Sequence, residues 1–124
     1  MHKRIGPELP ARVSPATQAG KHVFATNLST DLATGAFVDG SISVQALQTF
    51  RNLVAFVEEA GGSVRDIAQV TIYLVDAADF KDMNAAYNEV FTEAPFPTRA
   101  TIIARDLIGP PGIRIETTAH AVIG

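Results

Sequence analysis

Two hydrophobic periodicities alternate along this chain, and their order leaves few ways to fold it. Val44, Leu47, Phe50, Val54 and Val57 recur at three-and-four spacing, which is the buried stripe of a helix. Ser41 or Ser43 can cap that helix, and Gly61-Gly62 stop it. Ile67 to Val75 then alternates, with Ala68, Val70, Ile72 and Leu74 on one side and Gln69, Thr71 and Tyr73 on the other, the period of a strand. Asp76 or Asp79 opens a second helix, in which Phe80, Met83, Asn84, Tyr87, Val90 and Phe91 repeat the helical step. Pro95 and Pro97 end it and lead into a strand over Thr98 to Arg105. After the Gly109-Pro110-Pro111-Gly112 loop, Ile113 to Val122 forms the last strand. Near the start, His22 to Leu28 reads as a strand followed by an Ala33-Thr34-Gly35 turn, and Ala11 to Gln18 as loop or edge strand.

Strand, helix, strand, helix, strand, with each helix apolar on one side, implies an α/β layer in which two helices cover one face of a mixed sheet. At 124 residues the chain is a single domain, residues 1–124. The other face of the sheet is the informative one. Arg99 and Thr101, Arg114 and Glu116 sit inside otherwise apolar strands and join Gln69, Thr71, Tyr73, Thr118 and His120 there. Charged groups embedded in strands are costly without a partner or a task. A face too polar for a core, yet carrying Ile103 and Tyr73, is expected to pack against copies of itself and to leave polar clefts at the seams.

Charge narrows the partners. The formal net charge is -3, and the ten Lys and Arg residues are scattered, so there is no basic footprint for a phosphate backbone and no nucleic acid is expected. Zero cysteines exclude disulfides, thiolate ligands and a thiol nucleophile. The start Met1-His2-Lys3-Arg4-Ile5-Gly6-Pro7 is basic but meets Gly and Pro instead of an apolar run. No stretch reaches about 18 uninterrupted apolar residues, and a cytoplasmic protein without membrane contact is the expectation.

The run Pro97-Thr98-Arg99-Ala100-Thr101-Ile102, continuing to Arg105 and Leu107 and followed after a short loop by Ile115-Glu116, resembles the C-terminal signature of the RidA (YjgF, UK114, L-PSP-like) family of small trimeric imine and enamine hydrolases. The order of elements and the stretch Phe50 to Gly62 extend the likeness over nearly the whole chain. The resemblance implies a chorismate-mutase-like α+β fold, a six-stranded mixed sheet with two helices on one face. It also implies a homotrimeric barrel in which three sheets pack face to face with sites between subunits. It further implies that the last strand inserts between His22 to Leu28 and Ile67 to Val75, with the Pro-Pro loop spanning the jump.

The resemblance also assigns roles. Arg99 matches the arginine that anchors the substrate carboxylate, and its planar fork suits that task; the alternative is a structural ion pair at an interface. Glu116 matches the glutamate that positions water and moves protons, and otherwise would bridge to Arg114 or Arg105 across the seam. Thr101 stands where many relatives carry cysteine, and its backbone N–H and C=O can meet ligand oxygen and water. Thr17, Thr26 and Asn27 match segments that line the substrate. Two departures stand out. Ser14-Pro15-Ala16-Thr17-Gln18 replaces a segment that often reads Gly-Pro-Tyr-Ser-Gln, removing a tyrosine hydroxyl, and Ala25-Thr26-Asn27 replaces Ser-Gly-Gln, putting Thr where a glycine admits close backbone approach.

Other features carry less. His22 and His120 read as isolated, with no second ligand at metal spacing, so no metal is expected; His120 could assist proton transfer or make an interface hydrogen bond. Gly61-Gly62-Ser63 lacks the lysine and the strand-to-helix context of a phosphate loop. Phe50, Phe56, Phe80, Tyr87 and Phe91 are expected in or near the core. The function expected is hydrolysis of 2-imino or 2-enamino acids to 2-oxo acids and ammonia, without cofactor. The alternatives are a non-catalytic trimer binding a small carboxylate and, lowest, a ribonuclease, which the charge and the lack of paired catalytic histidines oppose.

Overall fold

The computed structural model describes residues 1–124. Six strands, β1 (Lys3–Ile5), β2 (Ala16–Ala19), β3 (His22–Asn27), β4 (Ile67–Leu74), β5 (Thr98–Ile103) and β6 (Ile115–Val122), form one sheet in the order β1-β2-β3-β6-β4-β5. Only β4 and β5 run parallel, joined by a right-sized crossover through the second helix; the other neighbours are antiparallel. The last strand does insert between β3 and β4. Its entry is held by Gln45, whose amide donates to Gly112 O at 2.9 Å and accepts from Arg114 N at 2.9 Å.

Helices α1 (Ile42–Glu59) and α2 (Phe80–Val90) lie on the same side of this sheet. Ser41 is the cap of α1, its hydroxyl accepting from Val44 N at 3.3 Å. At the other end Gly61, at φ 97°, turns the chain in the left-handed region. There Gly61 N donates to Glu58 O and Gly62 N to Val57 O, so the last carbonyls are satisfied. The buried stripe of α1 differs from the one the spacing suggests. Val44 is exposed, and the stripe runs Ile42, Ala46, Phe50, Leu53, Phe56 and Val57, with Leu47 and Val54 at its margin. Polar Gln45, Thr49 and Asn52 are buried within it because each is hydrogen-bonded to backbone: Thr49 Oγ1 donates to Gln45 O, and Asn52 Nδ2 to Leu28 O and Thr30 O.

Under the helices lie Ile5, Val23, Ile67, Val70, Ile72, Leu74 and Ile115 of the sheet, against Phe50, Phe56, Met83, Tyr87 and Phe91. Each such side chain contributes about 1.5–3 kcal/mol on burial. A register shift between Ile67 and Gln69 breaks the alternation of β4, so Ala68, expected on the covered side, is exposed. Phe80, expected near the core, is 42% exposed at the start of α2.

The largest correction concerns β5. Parallel pairing sets Arg99 beside Val70, Thr101 beside Ile72 and Ile103 beside Leu74, so these three point to the helix side and not to the polar face. Residues paired across a sheet share a face, and Val70 and Ile72 are core. Arg99 remains exposed there because β5 is the edge strand. Arg114 also leaves the polar face: it precedes β6 and forks onto Asp79, with Nε to Oδ2 at 3.0 Å and Nη2 to Oδ1 at 2.6 Å. What lines the open face is Phe24, Thr26, Gln69, Thr71, Tyr73, Glu116, Thr118 and His120.

Candidate functional site

Arg99 is held before any ligand arrives. Its Nη1 donates to Asn84 Oδ1 at 2.8 Å, and its guanidinium carbon lies 4.5 Å from the centre of the Tyr87 ring and 5.8 Å from that of Phe80. A cation over an aromatic face is attracted by the ring quadrupole. The remaining N–H groups face solvent and carry no carboxylate partner, since the chain's two salt bridges are Arg105 with Asp106 and Arg114 with Asp79. Burial pushes the Tyr87 hydroxyl up in pKa, and the nearby Arg99 charge opposes that rise. In sequence Asn84 and Tyr87 are only members of a helical stripe; that they hold Arg99 depends on a strand-to-helix contact that spacing does not reveal.

Glu116 sits on β6 opposite Tyr73, half-buried on the open face. Burial raises its pKa above the ordinary carboxylate range. Within the subunit neither Arg114 nor Arg105 bridges to it, because each has its own aspartate. An acid with raised proton affinity and no cation is suited to taking and returning a proton.

Thr26 and Thr17 point to the same open face, Thr26 opposite Thr118 and Thr17 opposite the exposed Phe24. A cavity of about 350 Å³ opens there, lined by Phe24, Thr26, Gln69, Thr71, Thr118 and His120. Asn27 does not join them. It is buried, and its amide donates to Thr49 O at 3.0 Å and Thr117 Oγ1 at 3.3 Å; alternation along β3 turns it inward. Ala16 is buried as well, so that position sends no group to the open face. His22 and His120 are not isolated: Nδ1 of His22 and Nε2 of His120 are 2.9 Å apart, and Phe24 stacks on His120.

One subunit therefore divides the expected residues into two sets. Arg99 and Thr101 stand at the β5 edge on the helix side; Glu116, Thr26 and Thr17 stand on the open face. By register Arg99 and Glu116 are three residues along and two strands across, about 14 Å between Cα atoms at normal sheet spacing. A small ligand gripped by one is not in contact with the other in the same chain.

Comparison with known proteins points one way. Residues 6–123 match the family described as Endoribonuclease L-PSP. The 2-iminobutanoate/2-iminopropanoate deaminase of Salmonella typhimurium is 37% identical over 129 residues, covering 98% of each chain. A RutC family protein of Pyrococcus abyssi is 38% identical over 120 residues, 96% of this chain and 88% of that one. Among solved structures, Escherichia coli TdcF with bound serine superposes with a TM-score of 0.87 at 29% identity, covering 98% and 99% of the two chains. RidA from an Antarctic Psychrobacter does so with a TM-score of 0.84 at 28% identity over the same shares.

Proposed function

The chain belongs to the Endoribonuclease L-PSP family, the RidA-like proteins, and from that premise we propose that it hydrolyses 2-imino and 2-enamino acids to 2-oxo acids and ammonia at a site shared between neighbouring copies. The observation that carries this reading is the pre-held, carboxylate-free Arg99 combined with a cation-free Glu116 of raised proton affinity. Deaminase names among relatives of 35–37% identity and an amino acid bound to TdcF support the substrate class.

In the proposed reaction the enamine first tautomerises to the imine. Arg99 of one copy grips the carboxylate through two parallel N–H···O bonds. Water held by Glu116 of the next copy and by the Thr101 backbone adds its oxygen to the imine carbon, while the C=N π electrons pass to nitrogen and Glu116 takes a water proton. Return of that proton to nitrogen completes the carbinolamine; the hydroxyl proton then passes through Glu116 to the amine nitrogen as the C=O forms and the C–N bond breaks, releasing ammonia and the 2-oxo acid. Thr26 and Thr17 line the same cleft.

A second reading, a trimer that binds a small carboxylate without turning it over, is favoured by one observation: the position of the family tyrosine is a buried alanine, Ala16. An amino-acid oxidase supplying 2-iminobutyrate and related imines separates the two. Catalysed release of 2-oxo acid above the spontaneous rate is expected; binding of 2-oxobutyrate with no acceleration for small, branched or aromatic substrates would establish the non-catalytic reading.

A further inference from the structure

His22 and His120 lie 98 residues apart in sequence, yet adjacent strands bring their rings together on the open face. We propose that this pair is a two-imidazole site for a first-row divalent transition metal ion, of which Cu²⁺ is the tightest-binding. The inference rests on nothing in the imine chemistry.

The geometry is that of two neighbouring ligand positions. Imidazole nitrogens at about 2.0–2.1 Å from a metal and roughly 90–110° apart lie about 2.8–3.4 Å from each other; His22 Nδ1 and His120 Nε2 are 2.9 Å apart. Their rings are tilted by 33° with centroids 5.1 Å apart, and the two facing nitrogens are hydrogen-bonded to each other. Register sets the positions of the two residues: His22 pairs with Val122 and Phe24 with His120 in an unbroken β3–β6 ladder. Phe24 stacks on His120 at 4.5 Å, restraining its rotation as outer-shell neighbours of metal ligands do.

His120 also lines the 350 Å³ cavity, through which water can reach the remaining positions of the ion. No group of three or more His, Cys, Asp or Glu is assembled anywhere in the chain, so affinity is limited to what two imidazoles supply and follows the order that puts Cu²⁺ above Ni²⁺ and Zn²⁺. In the metal-free neutral pair one ring donates to the other. On binding, the donor ring shifts its proton to its far nitrogen, and both facing nitrogens offer lone pairs to the ion without net proton release. Acid opposes binding because protons compete for the same nitrogens.

The test uses the full chain carrying His2→Ala, which removes the separate chelate that the Met1 amine and His2 would form. Titration with Cu²⁺ followed by electron paramagnetic resonance should show one ion per chain coupled to two imidazole nitrogens. His120→Gln in that background should weaken binding at least about tenfold, since even outer-shell changes cost that much, and leave one imidazole coupling. His22→Gln, at an exposed position, should do the same and keeps the test decisive if His120→Gln does not fold. Fewer than two imidazole couplings in the parent, or affinity unchanged in a folded His22→Gln chain, would overturn the site.

Discussion

The two faces of the sheet treat polar groups in opposite ways. On the helix-covered face Gln45, Thr49, Asn52, Asn27 and Thr117 are buried, and each is bonded to a specific backbone or side-chain partner. No buried side-chain nitrogen or oxygen in the chain lacks a partner. On the open face Gln69, Thr71, Thr118 and Glu116 make no such bonds and keep their polar atoms in contact with solvent. Buried polarity that is fully paired serves architecture, because leaving one member unpaired costs about 1–3 kcal/mol. Unclaimed polarity on a half-covered face is capacity for a ligand or for another copy of the chain. Asn27, which looks like a site residue in sequence, is therefore structural and bonds its cross-strand partner Thr117, while Glu116, one residue earlier on β6 and turned to the other face, is free.

If the covered face is architecture alone, truncation there should remove stability without selecting for chemistry. Phe50→Ala should have the largest effect, about 3–5 kcal/mol lost in urea unfolding, with activity falling only in step with the folded fraction. The open face should behave in the reverse manner. Glu116→Gln keeps the shape and loses the proton carrier, so turnover should fall by about 100-fold or more while carboxylate affinity by calorimetry stays within a few-fold; equal loss of both would make Glu116 a structural residue.

Arg99→Lys tests the edge that joins the two faces. A lost bidentate grip is worth about 2–3 kcal/mol, or roughly 30- to 150-fold in kcat/KM, with an unchanged thermal midpoint because the side chain is exposed. Asn84→Ala should be milder and should raise KM more than it lowers kcat, since it loosens the guanidinium without removing it.

The smallest effect is on pH dependence. Because Glu116 has a raised pKa in the folded chain, the folded state holds its proton where the unfolded chain has released it. Stability from this group is therefore greater at acid pH and is lost as pH rises through the folded pKa. The acid limb of kcat/KM should accordingly lie above the ordinary glutamate range, and Glu116→Gln should abolish that limb; a limb at the ordinary range would contradict the desolvation of this carboxylate.

Much of this was legible in the residues. The helical step placed both helices, and the insertion of β6 followed from the resemblance carried by Arg99 to Glu116. The side of the sheet that Arg99 and Thr101 face was not legible, because an edge strand reads the same in either parity until its register against Val70 and Ile72 is known. The buried stripe of α1 leaves out Val44 and takes in Gln45, Thr49 and Asn52, which look exposed in sequence until their backbone partners are seen. Likewise β1 is too short to carry a period, and the His22–His120 contact joins residues from opposite ends of the chain.

The sharing of one site between copies is tested most directly by mixing two crippled chains. Arg99→Lys and Glu116→Gln chains, unfolded together in equal amounts and refolded, should give cyclic trimers of which about three quarters are mixed, each with one intact pairing of Arg99 from one copy and Glu116 from the next. With one good site in three, imine hydrolysis should return to about a quarter of the wild-type specific activity. A mixture confirmed as heterotrimeric by mass that shows no more activity than the average of its two parents would mean that the site lies within a single chain.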